Sequence, residues 1–259
     1  MSDKPATEKR PSPDALLQQA RKEARGQLRI FLGAAPGVGK TFAMLTEGAA
    51  LQREGMDVVV AVAETHGRAE TDALLVPLEV IPRRQIEYRG HRLTEMDIDA
   101  VLARSPALAL VDEYAHSNVE GSRHPKRWQD VEELLDAGID VYTTLNIQHV
   151  ESLNDVVASF TRVRVRETVP DSVFEHAEIK VVDLPPDELI ERMKDGKVYV
   201  PHEASRALGH FFSKANLSAL REMALRRAAL SVDQQMLQAL DAAAVPGLFG
   251  AGDRILVAV

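Results

Sequence analysis

Cysteine is missing from this 259-residue sequence, and aromatic residues make up only 5% of it. Without cysteine there is no disulfide, and no thiolate site for zinc or an iron–sulfur cluster. No apolar run approaches the ~20 residues that a membrane-spanning helix needs. The first residues, Met1 to Pro13, are polar and interrupted by proline, so no signal peptide is expected. These absences predict a soluble protein of the reducing cytoplasm.

The charge balance limits the partners. The sequence has 31 basic and 39 acidic residues, which gives a net charge of −8. That sign argues against sequence-independent binding of nucleic acid over the whole surface, and no nucleic-acid partner is expected. With 45% hydrophobic and 27% charged residues, the chain is ordinary globular material with a sizeable core.

The most informative segment is the glycine-rich loop, residues 33–41. It follows the apolar run Leu28–Leu32 and leads into a predicted helix, which is the sequence form of a phosphate-binding loop. Small residues let successive backbone N–H groups point at one anion, and the helix N-terminus adds its positive end. Lys40 would reach the β and γ phosphates of ATP, and the Thr41 hydroxyl would ligate Mg²⁺. The predicted nucleotide contacts here are Gly33, Ala34, Ala35, Pro36, Gly37, Val38, Gly39, Lys40, Thr41 and Phe42.

The loop departs from the strict pattern at one position. Ala34 stands where the first glycine is required, so the match is to a relaxed form that accepts alanine. A dinucleotide-binding fingerprint starting at Gly37 is the rival interpretation. Its third glycine would fall on Phe42, whose side chain would prevent close helix–strand packing, and we reject it.

Two later apolar strands end in acidic residues. The segment Asp57–Ala63 is followed by Glu64, and Ala107–Val111 is followed by Asp112 and Glu113. Asp112 would orient a water on Mg²⁺, and Glu113 would polarise the attacking water or hydroxyl. Glu64 is a further candidate for ordering a metal-bound water or an acceptor hydroxyl. The alternative is that these acids are ordinary strand ends and helix caps.

Other polar residues have two interpretations each. Asn146 follows the apolar strand 139–144 and is predicted to sense the γ phosphate, with Gln148 as a second candidate. His116 and Asn118 are either phosphate contacts or structural residues. Lys126 and Arg127 would touch the phosphates or a partner subunit, or would simply begin a charged helix.

Alternation of strands and helices predicts an α/β fold of the P-loop NTPase type, a doubly wound parallel sheet with a C-terminal helical extension. Within it, Thr94 is predicted to cap a helix and Arg162–Arg166 to form an edge strand. The predicted divisions are a disordered tail with a short helix (1–27), the nucleotide-binding domain (28–200), the helical extension (201–244), a linker (245–252) and one strand of a further domain (253–259).

With these motifs in place, the chain resembles the KdpD family of osmosensitive, potassium-responsive sensor histidine kinases. The resemblance rests on ordered segments that include Gly33–Thr41, Glu64–Glu70, Val111–Asn118 and Gly138–Asn154. It implies the ATP-binding N-terminal region of such a kinase, on the cytoplasmic side of the inner membrane. A stress-protein-like domain, of which 253–259 would be the first strand, four membrane helices and the histidine-kinase core would follow.

The resemblance leaves two functions open. The first is a regulatory module in which bound ATP controls the kinase and potassium uptake. The second is a phosphotransferase that hydrolyses ATP or phosphorylates a protein hydroxyl, such as one on the potassium pump. Further partners implied are a response regulator and a second copy of the chain in a homodimer.

Overall fold

The structure is a computed structural model that describes residues 24–196 and 211–242. Within these residues the strands are β1 (Leu28–Gly33), β2 (Val58–Val62), β3 (Glu79–Val80), β4 (Arg84–Tyr88), β5 (His91–Glu95), β6 (Leu108–Val111), β7 (Asp140–Asn146) and β8 (Ala177–Val182). The α-helices are α1 (Lys40–Arg53), α2 (Ala69–Leu75), α3 (Ile98–Arg104), α4 (Arg127–Asp136), α5 (Asn154–Thr161), α6 (Pro186–Lys194) and α7 (Lys214–Ala242). Short 3₁₀ helices cover Ile147–His149, Glu151–Leu153 and Asp171–Phe174.

Six strands form one parallel sheet in the order β3–β2–β6–β7–β1–β8. The chain leaves β1 for β2 at the far side of the sheet and later fills the gap with β6 and β7. The sheet order therefore reverses around β1, which is the signature of a doubly wound sheet. The predicted fold class is confirmed.

Helices cover both faces of the sheet because its strands are apolar on both sides. In β1, Ile30 and Leu32 face one core while Phe31 faces the other. Helices α1 and α2 cover the Phe31 side, and α3 to α7 cover the opposite side. The helical extension belongs to this second layer, since Leu217 and Leu220 of α7 are fully buried in the same core.

The structure corrects the prediction for Thr94. This residue lies in β5, opposite Gln85 in an antiparallel hairpin with β4. Arg89 and Gly90 turn the hairpin with positive φ angles of 50° and 79°, as a two-residue turn of this kind requires. Helix α3 is capped instead by Asp97, whose carboxylate accepts the Ala100 N–H at 3.1 Å.

The predicted edge strand at Arg162–Arg166 is also wrong. Arg162 adopts a left-handed conformation (φ 59°) that ends α5. The polar groups of the next residues bond to side chains: the Val163 N–H to the Thr161 hydroxyl at 3.2 Å, and the Val165 carbonyl to the Asn154 amide at 2.9 Å. These local bonds replace the strand ladder that the alternating sequence favours.

Several predicted divisions fall outside the described residues: most of 1–27, the boundary at residue 200, the linker 245–252 and the strand 253–259. They stay predictions. Among the helices that the structure does describe, none has the length and apolar character needed to cross a bilayer.

Candidate functional site

The predicted site residues come together at the carboxyl edge of the parallel sheet. The glycine-rich loop leaves β1 there, beside the end of β7, and Gly33 pairs in register with Asn146. Glu64 follows β2 and Asp112 follows β6, which are the next strands along this edge. This edge, next to the reversal of sheet order, is where doubly wound sheets bind their ligands.

Close packing explains why glycine stands at position 33 and alanine is tolerated at position 34. A Cβ on Gly33 would lie 2.6 Å from Cγ2 of Val38 and 3.0 Å from Cδ of Lys40. The loop folds back on itself at this point, and Gly37 and Gly39 turn it with φ angles of 91° and 103°. Ala34 is buried in the core beneath the loop.

We expect Gly33→Ala to lower the free energy of unfolding by about 1–3 kcal/mol, the usual cost of an overpacked interior. The clash with Val38 and the Lys40 stem is the physical reason. Ala34→Gly, which restores the strict pattern, is expected to cost about 1 kcal/mol or less. Urea unfolding of both variants measures the difference, and equal losses would contradict this account of the loop.

Lys40 is a buried cation at the base of the loop. Its side chain donates to the Ala35 carbonyl at 3.2 Å, and within the described residues it forms no ion pair. Burial lowers the pKa of Lys40 to about 8, while the charge of Asp112 opposes that change. A desolvated ammonium with one carbonyl partner is electrostatically unsatisfied. An anion bound in the loop would therefore be strongly stabilised.

Asp112 is the centre of a hydrogen-bond network. It is only 1% exposed. Its carboxylate accepts from the Thr41 hydroxyl at 3.1 and 3.2 Å, from the backbone N–H of Glu64 at 3.0 Å, and from the Thr144 hydroxyl. The donors come from α1 and from the ends of β2 and β7, so Asp112 ties these elements together.

The pair of Thr41 and Asp112 suits Mg²⁺, which prefers oxygen ligands and retains several waters. The Thr41 hydroxyl can donate its hydrogen to Asp112 and still offer an oxygen lone pair to a metal. The carboxylate is surrounded by donors, so its contribution would be to orient the hydroxyl and a metal-bound water. This arrangement fits the predicted roles of both residues.

Glu113 has a strained backbone and an accessible carboxylate. Its φ of 57° is unusual for a residue with a side chain, at a cost of about 1–3 kcal/mol. The backbone N–H donates to Asp112 and to the Thr144 hydroxyl, both at 3.1 Å, which holds this conformation. The side chain is 44% exposed and lines the cleft. Partial burial and the charge of Asp112 raise the pKa of Glu113.

Glu64 and Asn146 line the same cleft but have different partners. Glu64 forms an ion pair with Arg83 at 2.6 Å. The Asn146 side-chain oxygen is buried and finds no hydrogen-bond partner in the part of the chain that the structure describes. Gln148 has a similar unpaired oxygen but is not among the residues lining the cleft.

Two clefts flank the loop. The first, the acid-lined cleft, has a volume of about 250 Å³. The second, the Phe42 cleft, has about 310 Å³. Gly37, Lys40, Thr41 and Arg68 line both. The acid-lined cleft is further bounded by Pro36, Glu64, His66, Asp112, Glu113, His116, Thr144, Asn146, His149 and Glu167, and the Phe42 cleft by Gly39, Phe42, Glu70, Thr71, Arg192 and Gly196.

Some candidates lie away from the clefts. Asn118 donates to Asp130 at 2.6 Å and to the His124 carbonyl at 3.0 Å, and it does not line either cleft. Lys126 donates to the Ser117 hydroxyl at 2.6 Å and does not line either cleft. Arg127 is buried behind Glu113, and Val38 and Ala35 lie in the core under the loop.

Sequence reasoning missed several residues at the site. Thr144 connects Asp112 to Glu113, yet in the sequence it is one of two adjacent threonines in an apolar strand. His149 donates to the Glu167 carbonyl at 2.7 Å, and burial lowers the pKa of this histidine. Arg192 approaches Gly39 from α6, far along the chain. Only the position of Thr144 near a strand end gave a usable signal.

The comparisons with known proteins agree on one family. Residues 24–232 match the family described as "KdpD: Osmosensitive K+ channel His kinase sensor domain". The "Sensor protein KdpD" of Escherichia coli K12 is 59% identical over 228 residues, which cover 88% of this chain and 26% of that protein. The protein of the same name in Clostridium acetobutylicum is 52% identical over 85% of this chain and 25% of its own length.

A "Putative sensor protein KdpD" of Synechocystis is 53% identical over 81% of this chain and 57% of that protein. The chain thus spans about a quarter of the first two relatives. The matched residues include every element that contributes to the site, from the glycine-rich loop to α6. The chain therefore belongs to the KdpD sensor-domain family, as its sequence motifs predicted.

Proposed function

We propose that this chain binds Mg-ATP and uses the bound nucleotide to regulate a potassium-responsive sensor histidine kinase. One observation carries the proposal: the buried cation of Lys40, which has no ion-pair partner among the described residues, and the Thr41–Asp112 pair lie side by side at the carboxyl edge of the sheet. The first provides charge for a polyphosphate. The second provides an oxygen site for the metal that accompanies it.

In this proposal each cleft binds one end of the nucleotide. The Phe42 cleft has an aromatic ring that is 45% exposed, which provides a stacking surface for a base. Arg192 and Arg68 line the same cleft and add positive charge. The acid-lined cleft, with Glu113, Glu64 and Asn146, lies on the other side of Lys40 and would face the γ phosphate.

Each residue has a distinct task in this proposal. Lys40 and the backbone N–H groups of residues 37–41 bind the phosphates, and the side-chain NH₂ group of Asn146, which lines the acid-lined cleft, would donate to the terminal one. Thr41 holds the metal, and Asp112 fixes the direction of the Thr41 hydroxyl. Bound Mg²⁺ would neutralise phosphate charge.

A second candidate function is transfer of the γ phosphoryl group to water or to a protein hydroxyl. Glu113 favours it, because a strained residue presents an accessible carboxylate with a raised pKa beside the predicted metal site. A purely regulatory nucleotide site needs no such base. The candidate acceptors are water and a serine of a partner such as the potassium pump.

The names of the relatives support the wider setting. They are sensor proteins, and the chain corresponds to a fraction of each. We infer that it works on the cytoplasmic side of a membrane, beside stress-protein-like, membrane and histidine-kinase domains. A response regulator and a second copy of the chain are further proposed partners.

Two measurements test the two functions: calorimetric titration with ATP tests binding, and incubation with ATP labelled at the γ phosphate tests transfer. Calorimetric titration of the protein with ATP in excess Mg²⁺ is expected to give saturable binding. Chelation of the metal is expected to weaken it by about tenfold or more, equivalent to about 1.4 kcal/mol. Label that stays in ATP supports the regulatory function alone; label in free phosphate or in protein supports transfer. No binding in the presence of Mg²⁺ would contradict the proposal.

A further inference from the structure

Arg127 is a fully buried cation directly behind the acid-lined cleft. It begins α4 and is only 2% exposed. One terminal nitrogen of its guanidinium, Nη1, donates to the Asp112 carbonyl at 3.1 Å and lies 3.8 Å from the Glu113 carboxylate. The other, Nη2, donates to the Glu95 carboxylate at 3.1 Å. The two nitrogens thus contact three groups that lie in different directions.

Burial of a guanidinium is unfavourable unless its charge is balanced. Glu95, which is 3% exposed at the end of β5, provides that balance. Glu95 is itself held by the Val119 N–H at 2.8 Å and by His116 at 3.0 Å. Although burial opposes ionisation, these bonds and the charge of Arg127 keep the pKa of Glu95 below its ordinary value. Glu95 thus serves as the counter-ion of Arg127.

Two of the three contacts of Arg127 fall on one short segment. The Asp112 carbonyl and the Glu113 carboxylate belong to the same turn, whose backbone is strained at Glu113. Thr144 and Asp112 hold the Glu113 N–H from the sheet side. Arg127 is the one described cation within 4 Å of the Glu113 carboxylate. Hydrogen bonds from the sheet side hold the Glu113 backbone, and Arg127 lies 3.8 Å from its carboxylate.

We propose that Arg127 is a positioning residue that aims the Glu113 carboxylate into the acid-lined cleft, and that Glu95 of the β4–β5 hairpin holds Arg127 in place. The inference rests on the proposed phosphoryl transfer. The planar fork of arginine can donate to Asp112 and Glu95 while facing Glu113. A lysine would keep the charge but not that geometry. The hairpin is thereby connected to the base through Glu95 and Arg127.

The test compares Arg127→Lys with the double variant Arg127→Met, Glu95→Gln, which removes the pair without leaving a buried charge alone. Arg104→Lys is the matched control, because Arg104 also contacts two carboxylates, Asp57 and Glu79, at the opposite edge of the sheet. For each protein we would measure the affinity for Mg-ATP by calorimetry, KM and kcat by release of labelled phosphate, and the melting temperature.

We expect kcat to fall by about tenfold in Arg127→Lys and about a hundredfold in the double variant, a range consistent with loss of part of the contribution of a general base. Affinity and KM should stay within about twofold, since Arg127 does not line either cleft. The control should keep its kcat. Because the double variant leaves no lone buried charge, it tests the role even if Arg127→Lys folds poorly.

Two results would overturn the inference. Unchanged kcat in both Arg127 variants would show that Glu113 needs no positioning by this residue. A parallel loss of affinity and kcat, tracking the melting temperature, would show a structural role only. Absence of turnover in the unaltered protein is a different outcome: it removes the proposed phosphoryl transfer, and this inference with it, while leaving nucleotide binding intact.

Discussion

Replacement of Lys40 by Met is expected to abolish measurable binding of Mg-ATP while leaving the fold intact. The ammonium is buried at the base of the glycine-rich loop, where its one described hydrogen bond goes to the Ala35 carbonyl. Methionine fills a similar volume without the charge, so the loop keeps its packing and loses its attraction for phosphate. Lys40→Ala should have the same effect on binding.

The size of the effect follows from the hydrogen bonds to phosphate that the substitution removes. Lys40 is predicted to donate to two phosphate groups, and a hydrogen bond to a charged partner contributes about 1.5–3 kcal/mol. Loss of both corresponds to a decrease in affinity of about a hundredfold or more. The free energy of unfolding of Lys40→Met should rise or stay unchanged. Burial opposes the charged form of Lys40 and lowers its pKa, so the substitution removes an unfavourable buried charge.

Calorimetric titration with Mg-ATP and urea unfolding measure the two quantities. Arg104→Met is the control, since it removes a cation from the opposite edge of the sheet and should leave the affinity unchanged. If Lys40→Met bound Mg-ATP as tightly as the unaltered protein, the glycine-rich loop would not be a phosphate site.

Sequence could place Lys40, Thr41, Asp112 and Asn146 at one site because each follows an apolar strand. Parallel strands bring their carboxyl ends to one edge, so strand ends that are distant in sequence become neighbours. The register of Gly33 with Asn146 and the bond from Thr41 to Asp112 are consequences of that rule. The rule depends on strand order and direction, and side-chain packing does not enter it.

The arrangement behind the site is not predictable in the same way. The sequence allows Arg127 to be a phosphate contact, a subunit contact or a helix start, and its counter-ion Glu95 comes from a hairpin that no local pattern indicates. The turn at Arg89 and Gly90 lacks the usual Asn-Gly signal, so the sequence around Thr94 favours a helix cap instead. Without β5 there is no reason to place Glu95 next to Arg127.

The same limit applies to Thr144 and Arg192. Thr144 reaches Asp112 because β6 and β7 are neighbours with a particular register, in which Val111 pairs with Thr143. Arg192 approaches Gly39 because α6 returns to the edge of the sheet after β8. Both contacts depend on tertiary packing rather than on local pattern, so a single sequence carries little trace of them.

The prediction for Glu113 separates the regulatory and catalytic interpretations of the site. Glu113→Gln should keep the affinity for Mg-ATP and lower turnover by about 10²–10⁴, the usual contribution of a positioned general base. Glutamine has nearly the same shape and can accept a hydrogen bond, but it cannot take up a proton. The backbone N–H of Glu113 donates to Asp112 and Thr144 whichever side chain residue 113 carries. The turn at this position should therefore persist in Glu113→Gln.

Glu64→Gln is the comparison that locates the base. Glu64 lines the same cleft, but its carboxylate is engaged by Arg83 at 2.6 Å. Because Arg83 holds that carboxylate, it is less free to contact an attacking water or hydroxyl, and the replacement of Glu64 should lower turnover much less. Release of labelled phosphate under saturating Mg-ATP measures both variants, and calorimetry checks that each still binds. Full turnover in Glu113→Gln would move the base elsewhere, with Glu64 the first alternative, and the strain at Glu113 would then need another explanation.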